Sequence, residues 1–160
     1  MMPIVLTNAA HSRLPAFKMA KEIVDTIAAN QITVIAGDTG CGKTTQVPQL
    51  VLDDRILNRQ GAATNIIVTQ PRRISAIGVS ERIADERTER VGQTCGYSIK
   101  LEKKMSSKTR LLLCTTGVLL RRLQCDPDLA SISHIFVDEV RGEESLKHAH
   151  HDRISLDIFS

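Results

Sequence analysis

Aromatic side chains are scarce in this sequence of 160 residues, which contains no Trp, one Tyr and three Phe. Proteins that hold single-stranded nucleic acid by stacking its bases need a platform of aromatic rings. The four rings here, at Phe17, Tyr97, Phe136 and Phe159, are too few to build one. Any nucleic acid bound by this chain is therefore expected to be held mainly through its phosphate backbone.

Cysteines and long apolar runs are also few. The four cysteines include no C-x-x-C pair, which argues against a disulfide framework and favours a reducing compartment. No apolar run approaches the roughly 18 residues that a membrane span requires. The first residues also lack the basic start and apolar stretch of a secretory signal. We therefore expect an intracellular protein, cytoplasmic or nuclear, with no membrane partner.

The composition is that of a globular domain. Apolar residues make up 42% and charged residues 24% of the chain, close to the average for folded proteins. These values exclude a chain that is disordered as a whole, a collagenous repeat and a coiled-coil rod. The net charge of +3 has the sign that a nucleic-acid binder needs, but it is too small to indicate one by itself.

Short β-branched runs alternate with helical stretches along the chain. The runs are nearly continuous in apolar residues, as in strands that are covered on both faces, and they predict a mainly parallel sheet flanked by helices. Predicted strands occupy 32–36, 65–69, 110–114 and 134–138, and predicted helices occupy 16–29, 43–58, 72–88 and 116–125. A hairpin is expected within 95–109. From residue 141 onward the apolar pattern is lost, which predicts an atypical and disordered tail.

A glycine-rich loop follows the first predicted strand and opens a predicted helix. Residues 37–44 read G-D-T-G-C-G-K-T and fit the phosphate-loop pattern G-x-x-x-x-G-K-[ST]. The glycines allow successive N–H groups to point at a phosphate, and the helix N-terminus adds its positive dipole end. Lys43 would supply charge to the β- and γ-phosphates, and the Thr44 hydroxyl suits Mg²⁺. Cys41 is either a reactive thiol within the loop or a small residue that merely fits there.

Two acidic residues end the last predicted strand. Asp138 follows the apolar run at 134–137, and Glu139 comes directly after it. Asp138 could help to hold the magnesium, whereas Glu139 could orient or deprotonate an attacking water molecule. Acidic residues at a strand end are also common N-caps, so this pair alone is weak evidence for a metal site. The phosphate loop earlier in the chain is what favours the metal-site interpretation.

Two further strand ends carry residues suited to nucleic-acid phosphates. Arg72 and Arg73 begin a helix, where positive charge opposes the helix dipole unless an anion lies nearby. They either form a backbone-phosphate site or pair with carboxylates such as Glu81 and Asp85. Thr116 and Gly117 begin the next helix, where Thr116 is either an N-cap or part of a second phosphate-holding corner.

These segments together resemble the first RecA-like lobe of the DEAH-box RNA helicases over about residues 13–140, in order and in spacing. The resemblance is closest to the branch that acts on RNA and G-quadruplexes. It rests on G-D-T-G-C-G-K-T-T-Q-V-P-Q, T-Q-P-R-R-I-S-A, C-G-Y-S-I-K-L-E, C-T-T-G-V-L-L-R-R-L and V-D-E-V.

The resemblance implies ATP and Mg²⁺ as cofactors and RNA as the partner, with DNA or structured G-rich nucleic acid as further candidates. It implies that Lys43 and Glu139 are catalytic, that Thr44 and Asp138 hold the metal, and that Arg72, Arg73, Thr116 and Gly117 contact the RNA backbone. Arg82 matches an arginine that packs on the adenine. The implied cofactor-binding residues are Gly37, Asp38, Thr39, Gly40, Cys41, Gly42, Lys43, Thr44, Thr45 and Arg82.

The sequence departs from the family pattern after Val140. The family continues Asp-Glu-x-His-Glu-Arg, whereas here Arg141 follows directly, as if two residues were absent or the reading frame or splice had changed. We interpret residues 1–15 as a leader, 16–140 as the ATP-binding domain and 141–160 as the atypical tail. Without a second lobe, weak ATP turnover and no independent unwinding are expected. The alternatives are a non-catalytic nucleotide- or RNA-binding module, a non-functional fragment, and a small kinase, against which T-Q-P-R-R and C-T-T-G argue.

Overall fold

The computed structural model describes residues 14–138 and the backbone of residues 155–159. Its α-helices are Pro15–Lys18 (α1), Ala20–Ala29 (α2), Lys43–Leu57 (α3), Arg73–Glu86 (α4) and Thr116–Cys125 (α5), with a short 3₁₀ helix at Gly61–Ala63. Its strands are Ile32–Ile35 (β1), Ile66–Gln70 (β2), Cys95–Ile99 (β3), Glu102–Lys104 (β4), Leu111–Thr115 (β5), His134–Val137 (β6) and Ser155–Phe159 (β7). The strands and helices predicted within residues 14–138 are present, although the first helix is interrupted at Met19.

The strands form one sheet in the order β1-β7-β6-β2-β5-β3-β4. Every neighbouring pair is parallel except β3 and β4, which form the predicted hairpin. Strand β2 lies near the centre, where Ile67 is level with Leu112 of β5 and with Ile135 of β6. The carboxyl ends of β1, β2, β5 and β6 consequently share one edge of the sheet.

Helices cover both faces of the sheet. On β2, Ile66 and Val68 belong to a large apolar cluster that includes side chains of α2, α3 and α4. Ile67 belongs to a smaller cluster on the opposite face, together with Leu119 of α5. Because β2 is buried on both faces, its near-continuous apolar sequence is explained. The predicted α/β architecture, with a mainly parallel sheet flanked by helices, is confirmed.

Strand β7 corrects the expectation for the end of the chain. Residues 155–159 were expected to belong to a disordered tail, but they form a strand that pairs in parallel with β1 on one side and β6 on the other. The sequence S-L-D-I-F alternates polar and apolar residues, so a search for continuous apolar runs did not identify it. Residues 1–13, 139–154 and 160, which include most of the predicted leader and tail, lie outside the described residues.

Within the part of the chain that the structure describes, no helix is both long enough and apolar enough to cross a membrane.

Candidate nucleotide site

The loop between β1 and α3 has a backbone that requires glycine. Gly40 and Gly42 adopt φ values of +83° and +96°, in the left-handed region that side chains disfavour. A Cβ atom on Gly42 would also lie 3.0 Å from Cγ of Gln46 and 3.3 Å from Cδ1 of Leu14. The glycine-rich sequence is therefore matched by a compact turn that leads directly into α3.

Lys43 places its charge over this loop. Its Nζ atom donates to the carbonyl oxygen of Gly37 and to that of Asp38 at 3.3 Å, and it lies 3.7 Å from Sγ of Cys41. Asp38 and Thr39 are exposed at the outer side of the loop. An ammonium group held among backbone groups at a helix N-terminus is suited to bind an anion.

Thr44 and Asp138 are brought together although they are 94 residues apart in the chain. Thr44 lies in the first turn of α3 and Asp138 directly follows β6. The Thr44 hydroxyl donates to Oδ2 of Asp138 at 2.7 Å. The side-chain amide of Gln70, at the end of β2, donates to the same oxygen at 2.7 Å. Glu139, the predicted catalytic base, lies outside the described residues.

This pair of oxygens fits the magnesium expected from the sequence. Mg²⁺ prefers oxygen ligands and is typically held by one or two protein groups together with substrate phosphates. The Thr44 hydroxyl and the Asp138 carboxylate are both only partly buried and lie beside the phosphate loop, so they are accessible to such an ion. Gln70 belongs to the T-Q-P-R-R segment, but the sequence did not indicate a role for it in the metal site.

The two arginines of the second motif are exposed at the start of α4. Arg72 precedes the helix in an extended conformation, and Arg73 is its first residue. The first turn contains no acidic residue, and no side chain caps it. Among residues 14–138, neither arginine forms an ion pair with Glu81, Asp85 or another carboxylate. The charge that opposes the helix dipole is thus uncompensated by the protein in this region.

A second helix N-terminus lies beside this one. Strand β5 pairs with β2 so that Thr115 is level with Gln70, and α5 starts directly after Thr115. The N-cap position belongs to Thr115, not to Thr116, and no side chain bonds to the helix end. Thr116 and Gly117 are exposed, and a Cβ atom on Gly117 would meet nothing within 4 Å. The two predicted phosphate-binding positions, at the starts of α4 and α5, are therefore adjacent and exposed.

Comparisons with known proteins agree with this geometry. The chain is 56% identical to the Arabidopsis thaliana DExH-box ATP-dependent RNA helicase DExH1 over 133 residues, which are 83% of this chain and 13% of that protein. It is 51% identical to the human ATP-dependent DNA/RNA helicase DHX36 over 131 residues, which are 80% of this chain and 13% of DHX36.

The human protein DHX57 is 58% identical over 134 residues, which are 82% of this chain and 10% of DHX57. The chain belongs to the DEAH/DExH-box helicase family. It spans about an eighth or less of the length of these relatives. No protein-family model matches it.

Beyond its sequence motifs, this DEAH/DExH-box chain contains a buried polar cluster between α3 and α4. Glu86 accepts hydrogen bonds from the side-chain amides of Gln46 at 2.9 Å and Gln49 at 2.8 Å, and from Nε of Arg82 at 2.7 Å. Arg82, expected from the resemblance to contact the adenine, is thus linked to the helix that begins at the phosphate loop. Gln46 and Gln49 lie in the segment that follows the phosphate loop, but neither they nor Glu86 were assigned a role from the sequence, because nothing local indicates that they meet.

The cysteines of this chain differ in accessibility. Burial raises the pKa of the Cys95 and Cys114 thiols to about 12, so both stay protonated at neutral pH. Cys41 is partly exposed within the phosphate loop, and Cys125 is exposed at the end of α5. A thiol reagent therefore has access to Cys41 beside the site and to Cys125 away from it.

Proposed function

We propose that this chain is the ATP-binding lobe of a DEAH/DExH-box RNA helicase and that it binds Mg-ATP between the glycine-rich loop and Asp138. The observation that carries the proposal is the 2.7 Å hydrogen bond between Thr44 and Asp138. It joins the first turn after the phosphate loop to the end of a strand that is distant in sequence. This juxtaposition is what a metal-assisted nucleotide site needs.

Each part of the site has a separate task. The N–H groups of the loop and the start of α3 would surround the phosphates, and Lys43 would neutralise charge that develops on the β- and γ-phosphates. Thr44 and Asp138 would hold the magnesium, which supplies charge neutralisation and orients the phosphates when it is bound. Gln70 would keep the Asp138 carboxylate in place through the hydrogen bond at 2.7 Å. Glu139 is proposed as the base that activates water.

The RNA partner is proposed to bind at the same edge of the sheet. Arg72 and Arg73 present charge and the start of α4 presents free N–H groups, which together suit a backbone phosphate. Thr116 and Gly117 offer a second such corner on the neighbouring strand. These residues would contact phosphates and would not read base edges. We therefore expect the affinity for RNA to depend more on salt concentration than on RNA sequence.

The metal site is tested by a pair of variants at one position. Thr44→Val removes the hydroxyl at nearly constant volume, whereas Thr44→Ser keeps it. ATP affinity measured by calorimetry with Mg²⁺ and with EDTA is expected to show magnesium enhancement for the wild type and Thr44→Ser, but not for Thr44→Val. Equal enhancement in all three proteins would contradict the assignment of Thr44.

Turnover separates an enzyme from a binding module. ATP hydrolysis is measured with and without single-stranded RNA for the wild type, Lys43→Ala and Glu139→Gln. Turnover that RNA stimulates and both substitutions abolish would support an enzyme, whereas binding without turnover would support a non-catalytic module. We expect no unwinding by this chain alone, because unwinding in the family requires two lobes that move relative to each other. Failure to bind Mg-ATP would refute both functions.

A further inference from the structure

The buried carboxylate of Glu86 ends α4 and faces the helix that follows the phosphate loop. Only 4% of its side chain is exposed. Its Oε2 atom accepts from Gln46 and Gln49, both themselves 1% exposed, and its Oε1 atom accepts from Nε of Arg82. Burying a carboxylate is costly unless hydrogen bonds compensate for the lost water. Three donors from two helices hold this group in one place.

Gln46 connects this cluster to the phosphate loop. It lies in the first turn of α3, and its backbone N–H donates to the carbonyl oxygen of Gly42 at 2.7 Å. Its side chain packs so closely on Gly42 that a Cβ atom there would lie 3.0 Å from Cγ of Gln46. The position of Glu86 is consequently tied to the loop on one side and to Arg82 on the other.

Arg82 is held at one atom and exposed elsewhere. Its Nε atom donates to Glu86 at 2.7 Å, while 63% of its side chain is exposed. An ion pair one helical turn apart contributes little at a surface. Here, however, the acceptor is buried and fixed by two other donors, so the bond restricts the orientation of the guanidinium plane. A guanidinium that is oriented in this way can stack its flat face on an aromatic ring.

We propose that Glu86 is a positioning residue, which orients Arg82 to stack on the purine base of the nucleotide bound in the loop. This inference rests on the proposed ATP site and extends it. Phosphate binding depends on the loop, whereas the affinity that comes from the base depends on Arg82 and, through it, on Glu86. Removing the carboxylate should therefore weaken binding only of ligands that carry a base.

The test compares Mg-ATP with inorganic tripolyphosphate, which offers the phosphates without the base. Glu86→Gln is expected to lower the affinity for Mg-ATP by about 3- to 10-fold, the range of a lost stacking contact, and to leave the affinity for tripolyphosphate unchanged. Arg82→Ala should do the same. In the Arg82→Ala background, Glu86→Gln should have no further effect on Mg-ATP.

Asp53→Asn serves as the matched control. It removes the charge of another α3–α4 contact, in which Arg87 donates to Asp53 at 2.9 Å. This variant should lower the denaturant midpoint without altering the ratio of the two affinities. If Glu86→Gln lowers both affinities equally, or still weakens Mg-ATP binding after Arg82→Ala, the positioning role is refuted while the phosphate site stands. If the wild type binds neither ligand, the proposed function itself fails.

A second measurement needs no substitution at Glu86. The Nε–H proton of Arg82, assigned in the NMR spectrum by its disappearance in Arg82→Lys, should exchange slowly with solvent because a buried carboxylate holds it. Exchange as fast as that of a free arginine would show that Glu86 does not fix Arg82, and would overturn the inference.

Discussion

Acid should destabilise this protein through one histidine. His134 is the first residue of β6 and is 2% exposed. Its Nδ1 atom lies 2.9 Å from the hydroxyl oxygen of Ser133, and within the described residues its Nε2 atom has no hydrogen-bond partner. Burial, assisted by the charge of Arg55, lowers the pKa of this imidazole from 6.5 to about 4. The folded protein therefore keeps His134 neutral at a pH where the unfolded chain protonates it.

The sign and size of the effect follow from linkage between protonation and folding. Between pH 6.5 and about 4 the unfolded state binds one more proton at this site than the folded state, so stability falls as the pH falls. Across this window the lost free energy of unfolding is about 3 kcal/mol. Above pH 6.5 both states are neutral at this site, and its contribution is complete.

Urea unfolding at several pH values between 7.5 and 4.5 measures this effect. His134→Gln keeps a polar side chain of similar length but does not titrate, so it is the comparison protein. The carboxylates titrate in both proteins. The contribution of His134 is therefore the difference between the two proteins in how the free energy of unfolding changes with pH. We expect the wild type to lose more stability than His134→Gln as the pH falls. Parallel slopes with unchanged m-values would refute the pKa assigned to the buried imidazole.

Two other predictions concern glycine and cysteine. Gly96→Ala would place Cβ 2.4 Å from the carbonyl oxygen of Lys104, and should lower the free energy of unfolding by about 3 kcal/mol. Gly78→Ala, in open space on α4, should raise it by up to about 1 kcal/mol, and equal effects in urea unfolding would contradict the packing argument. Treatment with an alkylating reagent should block Mg-ATP binding in the wild type but not in Cys41→Ser, which keeps the other accessible thiol, Cys125. Retained binding by protein that mass spectrometry shows to be modified at Cys41 would refute this.

The sequence predicted the features that depend on local pattern. Continuous apolar runs identified β2, β5 and β6, because strands covered on both faces need apolar residues at every position. The glycines of the phosphate loop were identified for a similar reason, since the turn at Gly40 and Gly42 requires positive φ. The sequence assigned Thr44 and Asp138 to one magnesium site, and the structure joins them by a hydrogen bond that was not itself predicted.

Features that depend on distant partners were not predictable in this way. Glu86 meets Gln46 and Gln49 across 40 and 37 residues, and although both glutamines lie in the segment that follows the phosphate loop, nothing in that segment indicates a bond to Glu86. Their burial is decided by how α4 lies against α3, which no single segment encodes. The N-cap of α5 was misplaced by one residue for a smaller reason, because Thr115 and Thr116 are equally good candidates by residue type.

The place of β7 in the sheet has a consequence for the order of folding. Strand β1, which leads into the phosphate loop, pairs with β7, and β7 in turn pairs with β6, which leads to Asp138. The β1–β7 ladder joins Ile32 to Leu156, so it closes a loop of more than a hundred residues and is among the slowest contacts to form. During synthesis, Lys43 would be made more than a hundred residues before β7, whereas Asp138 would be made fewer than twenty residues before it. The nucleotide site is thus expected to be complete only after β7 has been made and has paired with β1 on one side and β6 on the other.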